Sequence, residues 1–324
     1  MGTSGSVRAV SDPHRLESGQ IREAARRIDG LVRRTPTQRL SVEVPSGPIE
    51  VVLKHEFTQF GGCFKARGSL NAILSARADG RLGDAGVLVA SGGNAAIGAA
   101  WAARLAGTEA TVVVPETAPP VKIDSLRRLG ATVHQIGDHY QQAADAASRL
   151  ATETGALLLH AYDQIPVAAG AGTIGLELAD DVEGPLTTVA CVGGGGLLAG
   201  LAATLRAGDR LVGVEPRGAS CFDQARRTGA PVDVTLDSIA SDSLGATRVG
   251  DICWASVADR EVDSVVVDDA DLIEARRRLW ENLRVVVEHG TAAAVAAVLT
   301  GRVTPAPGST LCIVLCGANT SLDL

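Results

Sequence analysis

One lysine and three glycine-rich loops carry the residue types in this sequence that can do chemistry. Lys65 sits in Gly61-Gly62-Cys63-Phe64-Lys65-Ala66-Arg67-Gly68, among small residues and beside one aromatic ring. Partial burial disfavours an ammonium, so a lysine in such a setting can offer a free amine to a carbonyl and form a Schiff base. The alternative is a solvated lysine at the start of a helix reaching residue 74. The segment Ser91-Gly92-Gly93-Asn94-Ala95 joins an apolar run to an alanine-rich stretch. The N–H groups at such a helix start lack intrahelical partners and can face an anion. Asn94 by itself reads equally well as an ordinary N-cap.

The third segment is Gly193-Gly194-Gly195-Gly196-Leu197-Leu198-Ala199-Gly200, directly after an apolar run ending at Val192. Four consecutive glycines remove every Cβ and let neighbouring N–H groups close on a phosphate, with the helix dipole adding attraction. A fourth segment, Leu315-Cys316-Gly317-Ala318-Asn319, follows the last apolar run. Cys316 there is either a small buried hydrophobe or a polar group within reach of a ring nitrogen. A nicotinamide-dinucleotide reading competes for the glycine loop. Gly194, Gly196 and Ala199 satisfy G-x-G-x-x-A, and Glu215 ends a following apolar run where a ribose-binding acid would sit. It leaves Lys65, the Ser-Gly-Gly-Asn loop and the Cys-Gly-Ala-Asn loop without a task.

Elements able to position these segments are legible in the hydrophobic pattern. Apolar residues recur with helical spacing over 21–32, and Thr35-Pro36 ends that run because proline disfavours helix in the preceding residue. Strands are expected over 49–53, 87–90, 111–114, 132–136 and 157–160, with helices over 95–106, 118–129 and 141–152. A second series has strands over 186–192, 211–214, 265–267 and 310–315, with helices running to about residue 205 and over 269–283 and 292–299, the last buried. Runs without in/out alternation suit parallel strands covered on both faces. The expected fold class is α/β, with two open, mainly parallel twisted sheets flanked by helices.

Composition excludes several classes of partner. At 324 residues the chain is long enough for two lobes. A net charge of −7 argues against nucleic acid and anionic membrane surfaces, which require clustered positive charge. The most apolar stretch, 189–205, contains the four glycines and is a poor membrane span. Six cysteines are scattered with no C-x-x-C pair, which suits reduced thiols in the cytoplasm. The first fourteen residues lack the apolar centre of a signal peptide and read as a loose end.

Taken together in order, the motifs resemble the fold-type II pyridoxal-phosphate (PLP) enzymes, specifically the serine/threonine dehydratase (threonine ammonia-lyase) group. The resemblance runs from Arg34-Thr35-Pro36 through Lys54-x-Glu56-x-x-Gln59, Phe64-Lys65-Ala66-Arg67-Gly68, Ser91-Gly92-Gly93-Asn94, Gly170-Ala171-Gly172-Thr173, the Gly193 loop, Val214-Glu215-Pro216 and Glu288-His289-Gly290 to Cys316-Gly317-Ala318-Asn319. It implies a tryptophan-synthase-β-like fold, with residues 1–69 and 164–324 forming a large PLP-binding domain and 70–163 a small one. It further implies that Lys65 binds the cofactor and acts as catalytic base, with Phe64 packed near the ring and Asn94 bonded to its 3′-oxygen. Gly193, Gly194, Gly195, Gly196 and Leu197 would hold the phosphate, and Cys316 would face the pyridine nitrogen. Ser91, Gly92, Gly93, Asn94 and Ala95 would hold the substrate carboxylate.

The implied reaction is dehydration and deamination of a small L-hydroxy-amino acid, serine or threonine, to a 2-keto acid and ammonia. Alternatives are a fold-type II β-replacement or a hydroxyaspartate dehydratase. A homodimer is the family's habit. Glu215 and Ala219 match positions where members bind a cation, but Cys221 stands where an oxygen ligand is expected. Cys63 stands where the family commonly has Ser, and Gly92 stands where serine racemases carry a second Ser, which implies elimination without efficient racemisation. Ala95 stands where threonine dehydratases usually have His. The chain ends shortly after Asn319, so a C-terminal regulatory domain is not expected.

Overall fold

Burial pattern and strand order account for the architecture of the computed structural model, which describes residues 12–321. The expectation of a loose N-terminal end therefore falls largely on residues 1–11, outside the described residues. The chain begins with α1 (Ser18–Ile28), whose Ile21, Ala24 and Ile28 are buried, followed by β1 (Thr37–Val44) and β2 (Gly47–Lys54). Two short 3-10 turns then lead into α2 (Lys65–Ala78), so Lys65 is the first residue of a helix. Next come β3 (Val87–Ala90), α3 (Asn94–Ala106), β4 (Ala110–Val114), α4 (Pro120–Arg128), β5 (Thr132–Gln135), α5 (Tyr140–Thr154) and β6 (Leu157–Leu159). The remainder is α6 (Ile165–Asp181), β7 (Leu186–Cys191), α7 (Gly196–Ala202), β8 (Arg210–Pro216), α8 (Cys221–Thr228), α9 (Asp251–Val257), β9 (Val262–Val267), α10 (Asp269–Leu283), α11 (His289–Leu299) and β10 (Thr310–Val314).

Two sheets result. The larger has the order β1-β2-β10-β7-β8-β9, and the smaller β5-β4-β3-β6. Every pairing is parallel except the β1–β2 hairpin. All six residues of β7 are buried, as a central strand covered on both faces requires. The hairpin strand β1 was not anticipated from sequence. It lies at the sheet edge and is largely exposed, so its polar residues hide the apolar signal.

Helix α6 is the second element that escaped the sequence reading. Its glycines weaken the local helical signal, yet packing requires them. A Cβ on Gly170 would lie 2.7 Å from the Cα of Gly68, and one on Gly172 would lie 2.8 Å from the Gly200 carbonyl oxygen. Close approach at these two crossings seats α2 and α7 on either side of α6. That matters because both helices begin at candidate site residues. Helices α8 and α9 were likewise not anticipated. Among the described residues, no helix is long and apolar enough to cross a membrane.

Candidate active site

The loops singled out in the sequence all follow carboxyl ends of parallel strands, where open α/β sheets bind ligands. Lys65 follows β2, Ser91 follows β3, Gly193 follows β7 and Cys316 follows β10; Ala161, outside those segments, follows β6. The half-buried Lys65 donates from Nζ to the Ala161 carbonyl at 2.8 Å. The same Nζ stands 4.9 Å from the centre of the Phe64 ring. Burial pulls the lysine below its ordinary value, opposed in part by the Glu288 carboxyl. This is the electrostatic condition for a nucleophilic amine. The backbone on either side is also fixed: Phe64 N–H donates to the Cys316 carbonyl at 3.0 Å, and Cys63 bridges Gly317.

The glycine loop is built by its surroundings. A Cβ on Gly194 would lie 2.3 Å from the Tyr162 ring, and one on Gly195 2.4 Å from Cys253 Sγ. Gly195 also has φ +90°, a left-handed conformation that suits glycine. Beyond any need for glycine on the ligand side, Tyr162 and Cys253 form a crowding wall behind the loop that leaves no room for a side chain. The first helical bond here is donated by Ala199 to Gly195. Among the described residues, no acceptor faces the N–H groups of Gly194, Gly195, Gly196 or Leu197. Such a cluster of unpartnered donors at a helix start is an anion cradle.

Asn94 opens α3 and is tied across the site. Its Nδ2 lies 2.8 and 2.9 Å from the two carboxylate oxygens of Glu288, and its Oδ1 accepts from Asn319 Nδ2 at 2.6 Å. Ahead of it, the Ser91 hydroxyl accepts from Gly93 N–H at 3.2 Å, and the Gly93 carbonyl receives the first helical bond from Ile97. Gly92 and Ala95 complete this turn, Ala95 being buried. Cys316 is buried against Cys191, with the sulfurs 3.4 Å apart. The adjoining Cys191 sulfur and burial hold the Cys316 thiol well above its ordinary value, so it is neutral.

Glu215 and Ala219 lie at and beyond the end of β8, next to Cys221, which contacts the glycine loop. Glu215 is fully buried, and its two oxygens accept from the N–H groups of Phe222 and Asp223 at 2.9 and 2.7 Å. Burial pushes its carboxyl up to about 8. The Cys221 thiol, at the position where a cation would want oxygen, donates to the Gly193 carbonyl at 3.3 Å. Ala219 makes a turn contact to the Pro216 carbonyl. Among the described residues no group of three or more His, Cys, Asp or Glu could hold a metal ion. The same geometry removes the dinucleotide reading, because a carboxylate buried against a helix start cannot reach a ribose diol.

Comparison with known proteins decides the cofactor class. The family model described as pyridoxal-phosphate dependent enzyme matches residues 28–317. The chain belongs to the pyridoxal-phosphate-dependent enzymes. This PLP enzyme is 34% identical over 310 residues to the serine racemase of Arabidopsis thaliana, covering 93% of this chain and 92% of that protein. It is also 34% identical over 309 residues to the L-threonine ammonia-lyase of Thermotoga maritima, covering 94% and 76%. Its fold superposes on the structure of maize serine racemase with a TM-score of 0.86, at 30% identity and over 95% and 94% of the two chains. The expected fold-type II architecture is therefore correct. The residues present fit PLP: an amine of lowered proton affinity for its aldehyde, and unpartnered N–H groups in a turn free of side chains for its phosphate.

Two contributors were not anticipated. The Ala161 carbonyl carries no signal in sequence, since every residue has one. Tyr162 is one of only two tyrosines, but nothing local announces that its ring backs a loop some thirty residues away.

Proposed function

We propose that this PLP enzyme dehydrates and deaminates a small L-hydroxy-amino acid, serine or threonine, to the 2-keto acid and ammonia. The observation that carries the reading is Lys65, an amine deprived of part of its proton affinity by burial and held where five strand-end loops converge. When bound, PLP supplies the electron sink for the α-carbon. Lys65 would hold its aldehyde, Gly193, Gly194, Gly195, Gly196 and Leu197 its phosphate, Phe64 and Asn94 its ring, and Cys316 its pyridine nitrogen. The N–H groups and hydroxyl of Ser91 through Ala95 would orient the substrate carboxylate.

In this reading Lys65 Nζ takes the α-proton, for which a neutral amine is required. The neutral Cys316 thiol brings no negative charge to the ring nitrogen, so the structure offers nothing to prolong charge storage there and loss of the β-hydroxyl is favoured. Water leaves from the β-carbon, and the released enamine takes up one water to give the keto acid and ammonia. Residues 70–163 would form the smaller of two domains. Racemisation, the activity named for several relatives, needs an acid on the face opposite Lys65, and Gly92 offers no side chain there.

The test is a substrate panel with purified holoprotein. L-serine and L-threonine are expected to release keto acid and ammonia in equal amounts, with D-serine a trace product. A preference for 3-hydroxyaspartate would move the substrate class. Rapid D-serine formation without keto acid would overturn the reading, as would undiminished turnover by Lys65→Ala.

A further inference from the structure

Glu288 is the N-cap residue of α11, yet its side chain makes no bond to its own helix. An N-cap side chain commonly turns back onto the free N–H groups behind it. Here the carboxylate instead reaches away, and only 5% of the residue is exposed. It receives Asn94 Nδ2 on both oxygens at 2.8 and 2.9 Å and the Asn319 N–H on Oε1 at 2.9 Å. Asn319 Nδ2 donates in turn to Asn94 Oδ1 at 2.6 Å and to the Gly61 carbonyl at 2.7 Å. The network joins the helix after β3 of the small sheet to two segments of the large-sheet side and to the turn before Lys65.

The chemistry of an amide makes this arrangement selective. A carboxylate only accepts, so it fixes the Asn94 amide with nitrogen toward Glu288, and Asn319 fixes the oxygen from the other side. The two oxygens of one carboxylate subtend too small an angle at Nδ2 to take both of its diverging N–H bonds. One N–H is therefore shared between them, and the second remains as the donor that Asn94 can offer to a ligand. Burial raises the Glu288 carboxyl while the Asn94 and Asn319 donors oppose that rise. The titratable and charged groups that act on it electrostatically are Asp242 and Lys122, and it acts in turn on Cys63, Lys65 and Cys316.

We propose that Glu288 is a positioning residue for cofactor binding, acting through Asn94: it holds the amide in the one orientation that leaves an N–H free for an oxygen of the bound PLP. The proposal rests on the cofactor class and not on elimination, so its test reads PLP binding and absorbance. In Glu288→Gln a second NH₂ group meets Asn94 or the Asn319 N–H, and the Asn94 amide loses its preferred orientation. Absorbance titration of the apoprotein with PLP is expected to show at least tenfold weaker binding in Glu288→Gln, a displaced visible band, and most of the loss recovered in Glu288→Asp. Asn94→Ala should show the same weakening, and adding Glu288→Gln to it should change little, because both act through one bond. Thermal unfolding of each apoprotein separates this from loss of fold. Wild-type affinity and band in a folded Glu288→Gln would overturn the proposal. So would an undiminished Glu288→Gln effect in the Asn94→Ala background, which would mark a merely structural role.

Discussion

Cys191 donates its thiol proton toward Cys316 across 3.4 Å, joining the end of β7 to the residue two past β10. Cys316 gives the site a neutral sulfur, since the adjoining Cys191 sulfur and burial raise its thiol well above the ordinary value. Cys316→Ser preserves a neutral donor and should cost no more than about 1 kcal/mol of cofactor binding, the worth of one ordinary hydrogen bond. Cys316→Asp buries a carboxylate where a neutral thiol stood and should weaken binding well beyond that. Absorbance titration of both apoproteins decides it; equal affinity of the two variants would refute the neutral-sulfur account.

Lys65 carries a stability signature with a definite sign. Its pKa in the fold is lowered by burial from an ordinary 10.5. Between the lowered value and 10.5 the unfolded chain binds a proton that the folded chain does not, so stability rises with pH through that window. Lys65→Met removes the dependence. The variant apoprotein should melt higher than wild type at pH 7, and the gap should narrow as pH approaches 10. A gap that stays constant over that range speaks against a depressed lysine.

Arg67, two residues beyond Lys65, is fully buried in an ionic cluster. Its guanidinium bonds both oxygens of Glu56 at 2.9 and 2.8 Å and Glu177 at 2.6 and 3.0 Å, while Lys54 meets Glu177 at 2.6 Å. Arg67→Ala leaves the buried Glu56 without its cation, while Glu177 keeps Lys54, and should destabilise the protein by roughly 3–5 kcal/mol. Arg67→Lys keeps the charge but not the planar fork, and should recover only part of that. Urea unfolding measures both, and a loss under 1 kcal/mol for Arg67→Ala contradicts the assignment.

The wall behind the glycine loop is testable as a pair. Gly194→Ala forces a Cβ to 2.3 Å from the Tyr162 ring, an overpacking of the sort that costs about 1–3 kcal/mol. It should weaken PLP binding by displacing the loop. Combining it with Tyr162→Ala should restore part of the affinity, because the clash is gone. Equal losses in both backgrounds, measured by cofactor titration, would show that the crowding lies elsewhere.

How much of this was legible differs between elements. Strand β3 and helix α10 match the bounds expected from their hydrophobic runs, because their local pattern and their burial agree. Edge strand β1 and glycine-bearing α6 were missed because tertiary contacts, not local preference, make them what they are.

The sequence by itself determined the chemical inventory: an amine among small residues, glycine turns able to bind an anion, and parallel strands to present them, since these follow from residue type and short-range spacing. Only the tertiary structure decided which groups face one another. The pairing of Glu288 with Asn94, of Tyr162 with Gly194 and of the Ala161 carbonyl with Lys65 joins segments from some thirty to almost two hundred residues apart. No periodicity encodes such contacts, because they arise when separate layers pack and buried polar atoms must find partners wherever the fold places them.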